Sequence, residues 1–277
     1  MKPLSLINDK PLIWAHRGGR SLGPENTLQA LRRGHEAGAD GWETDVQLTK
    51  DGELIILHDL NLLRTTNAGV HPLFKANRPA LPWRFTLEEI KKLSANVFPR
   101  RFCPPHYSEQ PWKELPETVH PDLRVPTLSE ALDLTAELGM WINIEIKDLS
   151  HDVPEELSKM VVKKVTDMVH AKGMDTQVII SSFNHDYMCE SKVIAPQIFT
   201  GILTSHEFKG DPVEAAKAVN ADAWHPGFQF LTAEVIQRVR EAGIAINPYT
   251  VNKPEDVSRL TKWGVTGLVT DCPQSVR

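Results

Sequence analysis

The chain has 277 residues, 41% of them hydrophobic and 24% charged, with a formal net charge of -5; that is enough to bury one large core, and α/β barrels commonly reach this length as a single domain. With an acidic balance and no Lys or Arg blocks, nucleic acid is not an expected partner. No apolar run reaches bilayer length and Met1 to Lys10 has no continuous apolar h-region, so a cytoplasmic protein without a stable membrane anchor is expected.

The first strand reads as Leu12 to His16, with Ile13, Trp14 and Ala15 in the core and His16 at its end. A helix-like segment then stops at Gly38, and the second strand runs from Gly41 to Val46. Asp51-Gly52 is a hairpin signal, so the chain leaves the barrel and returns antiparallel towards His58. A two-residue turn sets His58 opposite Asp45 and a four-residue loop opposite Glu43, whereas a three-residue loop sets it opposite Thr44, on the other face.

From His71 to Pro126 the chain carries ten of its 20 prolines, together with Trp83, Arg100-Arg101 and Trp112. One helix is legible there, Thr86 to Ser94, opened by a Thr86/Glu89 capping box. This stretch is too irregular for a barrel repeat and too aromatic for a disordered linker, and it reads as an insertion over one mouth of the barrel.

Thr127 and Glu130 form a second capping box, and that helix stops at Gly139. Strands follow at Trp141 to Lys147, Gln177 to Ser182, Ile198 to Leu203, Ala221 to His225, Ile244 to Thr250 and Gly267 to Thr270, with helix stops at Gly173, Gly243 and Gly264. Leu231 and Ile236 suit a hydrophobic staple around Thr232. Eight strands alternating with helices predict a single (β/α)8 TIM barrel over residues 1–277, with the insertion at about 59–125 after the second strand and its hairpin. A Gly-rich dinucleotide fingerprint is missing after the first strand, against a Rossmann domain. Cys103, Cys189 and Cys272 are far apart and read as reduced thiols.

In Trp141 to Lys147, strict alternation puts Ile142, Ile144 and Ile146 towards the helices and Asn143, Glu145 and Lys147 into the barrel. Glu43 and Asp45 share a face by the same period, so three carboxylates converge. Crowded carboxylates need a compensating cation, and oxygen-only donors suit one hard divalent ion, Mg2+ or Ca2+. His16 and His58 offer a general acid and a general base, and the Arg17 guanidinium offers bidentate donors to phosphate. Together these groups suit metal-assisted cleavage of a phosphodiester. His225 sits near a strand end without a paired signal and reads as a packing or substrate-edge residue.

His16-Arg17-Gly18, Pro24-Glu25-Asn26-Thr27, Glu43-Thr44-Asp45, His58-Asp59 with Arg64-Thr65-Thr66, Pro126 to Glu130, Asn143 to Lys147, Ser182-Phe183 and Thr270-Asp271 follow in order along most of the chain. In these motifs the sequence resembles the glycerophosphodiester phosphodiesterase family. The resemblance implies a TIM barrel that hydrolyses small glycerophosphodiesters to sn-glycerol 3-phosphate and an alcohol. It implies Glu43, Asp45 and Glu145 as metal ligands, His16 and His58 as the acid/base pair, and Arg17 and Lys147 as phosphate contacts, with Phe183 and Tyr249 lining the substrate. Many members carry Trp where this chain has Tyr249 before Thr250-Val251-Asn252; Tyr keeps the flat ring for the glycerol carbons and adds a hydroxyl. The alternatives are a lysophospholipase D-like enzyme, disfavoured by the lack of an amphipathic anchor, and a barrel that binds phosphate without chemistry, disfavoured because both histidines and the carboxylate trio are present.

Overall fold

A computed structural model of the chain describes residues 10–96, 120–150 and 153–276. Among the described residues nine strands form one sheet: β1 (Leu12–His16), β2 (Gly41–Leu48), β3 (Leu54–Ile56), β4 (Trp141–Ile146), β5 (Val178–Ser182), β6 (Phe199–Thr204), β7 (Ala223–Pro226), β8 (Ala245–Ile246) and β9 (Gly267–Thr270). All but β3 pair in parallel, in the order β8-β7-β6-β5-β4-β2-β1-β9. The two ends meet through Thr266 N to Ile246 O (2.9 Å), Val269 N to Pro248 O (3.0 Å) and Val251 N to Val269 O (2.8 Å), so the sheet curls into the expected barrel.

The helices are α1 (Leu28–Glu36), α2 (Pro72–Ala76), α3 (Leu87–Ile90), α4 (Leu128–Glu137), α5 (Glu155–Ser158), α6 (Val161–Ala171), α7 (His185–Ile194), α8 (Pro212–Ala218), α9 (Ala233–Glu241) and α10 (Pro254–Trp263). Both capping boxes form, at Thr86/Glu89 and Thr127/Glu130, and Thr232 caps α9. The five predicted stops, Gly38, Gly139, Gly173, Gly243 and Gly264, all have φ between +63° and +90°, a conformation that a Cβ would strain.

Two expected elements are shorter than predicted. The regular part of β8 is only Ala245–Ile246 because Pro248 has no N–H to donate, although Asn247 N and Tyr249 N still bond Trp224 O and Pro226 O. The helix expected from Thr86 to Ser94 is regular only over α3, after which Lys92 and Leu93 close tighter turns onto Glu89 and Ile90. The described part of the Pro-rich stretch contributes Phe74, Phe85, Ile90, Leu93 and Val125 to a small separate core, where they pack with Leu62 around Ile55 and Leu57 of the hairpin. Arg100-Arg101, Cys103 and Trp112 lie outside the described residues.

Alternation along the strands divides the interior into two layers. Trp42, Val46, Leu48, Ile142, Ile144 and Ile146 face outward and join the helices in the main core. Leu12, Trp14, Ile179, Phe199, Ala223, Ala245 and Val269 face inward and fill the floor of the barrel. Trp14, 1% exposed, is the largest of these plugs. It fits because its register partner on β2 is Gly41, where a Cβ would stand 2.7 Å from the indole ring. Gly41→Ala should therefore cost about 1–3 kcal/mol by overpacking, read as a lower urea midpoint at unchanged m-value.

Candidate active site

The inward residues above this floor are polar, and they crowd the end of the barrel where the strands terminate. On β1 the inward parity that buries Leu12 and Trp14 brings His16 to the rim. The chain then turns through three consecutive left-handed residues, Arg17 (φ 52°), Gly18 (φ 85°) and Gly19 (φ 92°). Gly18 is required twice over, for its φ and because a Cβ there would stand 2.9 Å from Ala30 of α1. The turn points Arg17 N–H at Glu43 Oε2 (3.1 Å) and brings the guanidinium to Glu25 Oε1 (2.7 Å) and Asp45 Oδ2 (3.6 Å).

Glu43, Asp45 and Glu145 converge as the strand period requires: Asp45 is the register partner of Glu145, and His16 that of Glu43. All three are buried, and each offers an oxygen within 4.8 Å of the others; no other group of His, Cys, Asp or Glu among the described residues meets that condition. Burial, then the charges of Asp45 and Glu145, push the Glu43 carboxyl well above the usual range. Burial also works against Asp45, but Lys147, His58, Arg17 and the Asn26 amide together hold it below its ordinary value. Lys147 donates to Glu145 Oε1 (2.5 Å) and Asp45 Oδ1 (3.3 Å). Asn26 donates to Asp45 Oδ2 (2.7 Å) and is itself oriented by the Thr44 hydroxyl (2.9 Å).

His58 reaches the same cavity by a route that differs from the hairpin argument. The ladder pairs Leu48 with Leu54 and Val46 with Ile56, which closes a five-residue loop and continues in the register that sets position 58 against Thr44. Extended to that point, the strand would turn His58 away from the carboxylates. Instead the strand ends at Ile56, and the buried Gln47 side chain bonds the carbonyls of Leu57 (3.0 Å) and Asp59 (2.6 Å), bending the chain so that His58 lines the cavity.

Each histidine has a carboxylate on Nδ1. His16 Nδ1 lies 2.7 Å from Asp271 Oδ1 and His58 Nδ1 lies 2.8 Å from Asp59 Oδ1. Burial opposes the Asp271 charge, but His16, Arg20 and Asn252 hold the carboxyl down at about 2. Asp59 is likewise held well below its usual range, by its bonds from His58 and Arg64 against the burial effect. Both are acceptors only, so the ring proton is assigned to Nδ1, which leaves Nε2 as the acceptor nitrogen of each neutral ring. Burial lowers the His16 pKa further than Asp271 restores it, which favours neutral imidazole.

The cavity encloses 290 Å³ and takes in His16, Arg17, Glu43, His58, Glu145, Lys147, Phe183 and Tyr249. Asp45 lies just beneath them, 1% exposed. Phe183 and Tyr249 meet edge to face, with ring centroids 6.2 Å apart. The Tyr249 hydroxyl donates to the Thr204 carbonyl (3.0 Å), so it ties the ring in place instead of offering a new polar contact. His225 is inward and buried between Asn143 (3.4 Å) and Asn247 (3.1 Å); burial lowers it to about 3, so it is neutral.

A family model described as "Glycerophosphoryl diester phosphodiesterase family" matches residues 16–275. The chain belongs to this family. It is 34% identical to a glycerophosphodiester phosphodiesterase of Caldanaerobacter subterraneus over 96% of both chains. A Bacillus subtilis protein of the same name is 32% identical over 97% of this chain and 86% of its own. The fold matches that of an Oleispira antarctica phosphodiesterase, solved in complex with the product sn-glycerol-3-phosphate, with a TM-score of 0.76 and 24% identity over 96% of this chain and 95% of that one.

In this family member the carboxylates and both histidines are legible in the sequence, whereas the groups that hold them have no role assigned there. Glu25 accepts from Arg17 (2.7 Å) and twice from Arg64 (2.7 and 2.9 Å), and Arg20 stands 3.2 Å away. Arg64 in turn grips Asp59 through two bonds. One signal was available: an acidic residue directly follows a candidate histidine at His58-Asp59 and a proline at Pro24-Glu25, both in loops at the strand ends.

Burial opposes the Glu25 charge, yet Arg64, Arg17 and Arg20 hold its carboxyl down at about 2, against an ordinary 4.5. A depressed carboxylate stabilises the fold above its unfolded pKa and loses that contribution as pH falls through the folded one. Glu25→Gln should cost about 3–5 kcal/mol near neutrality by leaving the arginines uncompensated. Urea midpoints of the two proteins should then converge as the pH is lowered from about 4.5 towards 2.

Proposed function

We propose that the chain hydrolyses glycerophosphodiesters to sn-glycerol 3-phosphate and an alcohol in the cavity at the strand ends. The observation that carries this reading is the meeting, in one cavity, of three buried carboxylates with two imidazoles whose Nδ1 atoms each face an aspartate.

The donor set fits one hard divalent cation, Mg2+ or Ca2+, because it is all oxygen and because Glu43 is left facing two like charges. Glu43, Asp45 and Glu145 would hold it, and when bound it would supply Lewis-acid polarisation and charge neutralisation at the phosphoryl oxygens. Arg17 and Lys147, cationic and fixed by carboxylates, would bind and orient the phosphate. The rings of Tyr249 and Phe183 would flank the glycerol carbons. His16 and His58 would pass protons through Nε2, one taking a proton from the attacking oxygen, of water or of the glycerol 2-hydroxyl, and the other giving one to the alcohol whose P–O bond breaks; a cyclic phosphate formed by the 2-hydroxyl would then be opened by water to glycerol 3-phosphate. Asp271 and Asp59 are positioning residues that fix each ring and its tautomer.

The experiment is to incubate the purified protein with soluble glycerophosphodiesters and lysophospholipids and to measure glycerol 3-phosphate release with Mg2+, with Ca2+ and with EDTA. Release from soluble diesters, abolished by EDTA and restored by one of the ions, is the expected result; silence under every condition rejects the reading. Glu43→Ala should remove the response to added metal. His16→Ala and His58→Ala should each lower kcat by roughly two to four orders of magnitude, and a loss below tenfold would remove that histidine from the acid/base pair.

A further inference from the structure

Beneath the charges, the neutral layer holds a polar group that the proposed reaction leaves without a role. Asn143 is the register partner of Glu43 and stands two positions before Glu145 on β4, one inward step below the carboxylates. It is 3% exposed and lines the cavity with His225 and, from the apolar floor, Val269. Its amide is only half engaged. Asn143 Nδ2 lies 3.4 Å from His225 Nδ1, while among the described residues Oδ1 has no hydrogen-bond partner.

The imidazole between two amides decides what the open position takes. Burial holds His225 neutral, and a neutral ring accepts at one nitrogen and donates from the other. Asn143 and Asn247 face its two nitrogens, at 3.4 and 3.1 Å, so one amide meets the ring with nitrogen and the other with oxygen. Asn143 then turns either its oxygen or its NH2 away from the ring, and a hydroxyl, donor and acceptor at once, bonds to either. A charged ligand group does not suit this layer, because both amides and the ring are neutral. Leaving a buried polar atom unpaired is costly, so a ligand that pairs it gains the difference.

Exposure along the cavity runs from 3% at Asn143 to 43% at Phe183, so the departing alcohol leaves on the Phe183 side and the glycerol end lies towards Asn143. With the phosphate on Arg17 and Lys147, glycerol keeps its 2-hydroxyl beside the reacting phosphorus and carries one further hydroxyl on its terminal carbon. Resting on the phosphodiesterase reading above, we propose that the Asn143 amide, positioned by His225, binds that terminal hydroxyl and selects a glycerol chain over a propanediol chain that lacks it.

The test compares kcat/KM for glycerophosphocholine and for its analogue without the terminal hydroxyl, 2-hydroxypropyl phosphocholine of the same configuration, both read as choline release with Mg2+ or Ca2+ present. The analogue keeps the 2-hydroxyl, the phosphate and the leaving group, so the chemistry is unchanged. The wild-type protein should prefer glycerophosphocholine by about tenfold or more. Asn143→Ala should bring that preference to within about twofold. Asn143→Ser, still polar beside His225 but too short to reach the substrate, should do the same. Because each ratio is taken within one protein preparation, partial misfolding of a variant cancels. Equal kcat/KM for the two diesters in the wild type, or a preference that both variants keep, overturns the role of Asn143 and leaves the phosphodiesterase reading standing. No choline from either diester overturns both.

Discussion

Three carboxylates within reach of one ion, all buried, repel one another in a medium that screens them poorly, and the surroundings of the site are arranged by that repulsion. Lys147 and Arg17 answer it from two sides, one just past the end of the strand that carries Glu145, the other on a left-handed turn that also gives Glu43 a backbone N–H. Neither cation is itself left in excess, because Glu25 takes up the Arg17 guanidinium and with it Arg64 and Arg20. The result is a layered lattice of alternating charge. A buried lattice of this kind is costly to assemble and more costly to interrupt, since removing one member strands its neighbours in low dielectric.

The barrel below gives this lattice a rigid base. Trp14 closes the floor and Gly41 clears the space for it, so the polar layer begins at a fixed height above an apolar plug. The same device recurs one layer higher, where a Cβ on Gly201 would stand 2.8 Å from the His225 ring. His225, Asn143 and Asn247 then form a neutral polar layer between plug and charges. Side chains held this way on strands keep their positions better than side chains on loops, which suits a site whose donors must stay within a few tenths of an ångström.

Strand alternation made much of this legible in the sequence. Period two alone placed Glu43, Asp45, Glu145 and Lys147 on one inward face, and the three carboxylates do converge there with the Lys147 ammonium on two of them. The glycine stops and capping boxes were legible because each rests on one or two residues acting locally. What escaped depends on contacts between segments far apart in the chain. No local rule links Arg64 to Glu25, thirty-nine residues away, or Asp271 to His16, two hundred and fifty-five away. His58 escaped for a related reason: the register found is the one that turns position 58 towards Thr44, but Gln47, an inward side chain, captures two carbonyls and the strand ends before His58.

That early end shapes how the two histidines relate. His16 is held by the barrel itself, through Asp271 at the end of β9, which Asn252 Nδ2 bonds from the neighbouring segment (2.9 Å). His58 hangs outside the ladder, and its position passes through Asp59, Arg64 and Glu25 to Arg17, whose backbone bonds Glu43. The segment just after β3 is thereby bonded through Glu25 to the loop after β1. A shift of the 58–64 segment would move His58 and loosen Arg17 together, so these two cavity residues are coupled through one buried carboxylate.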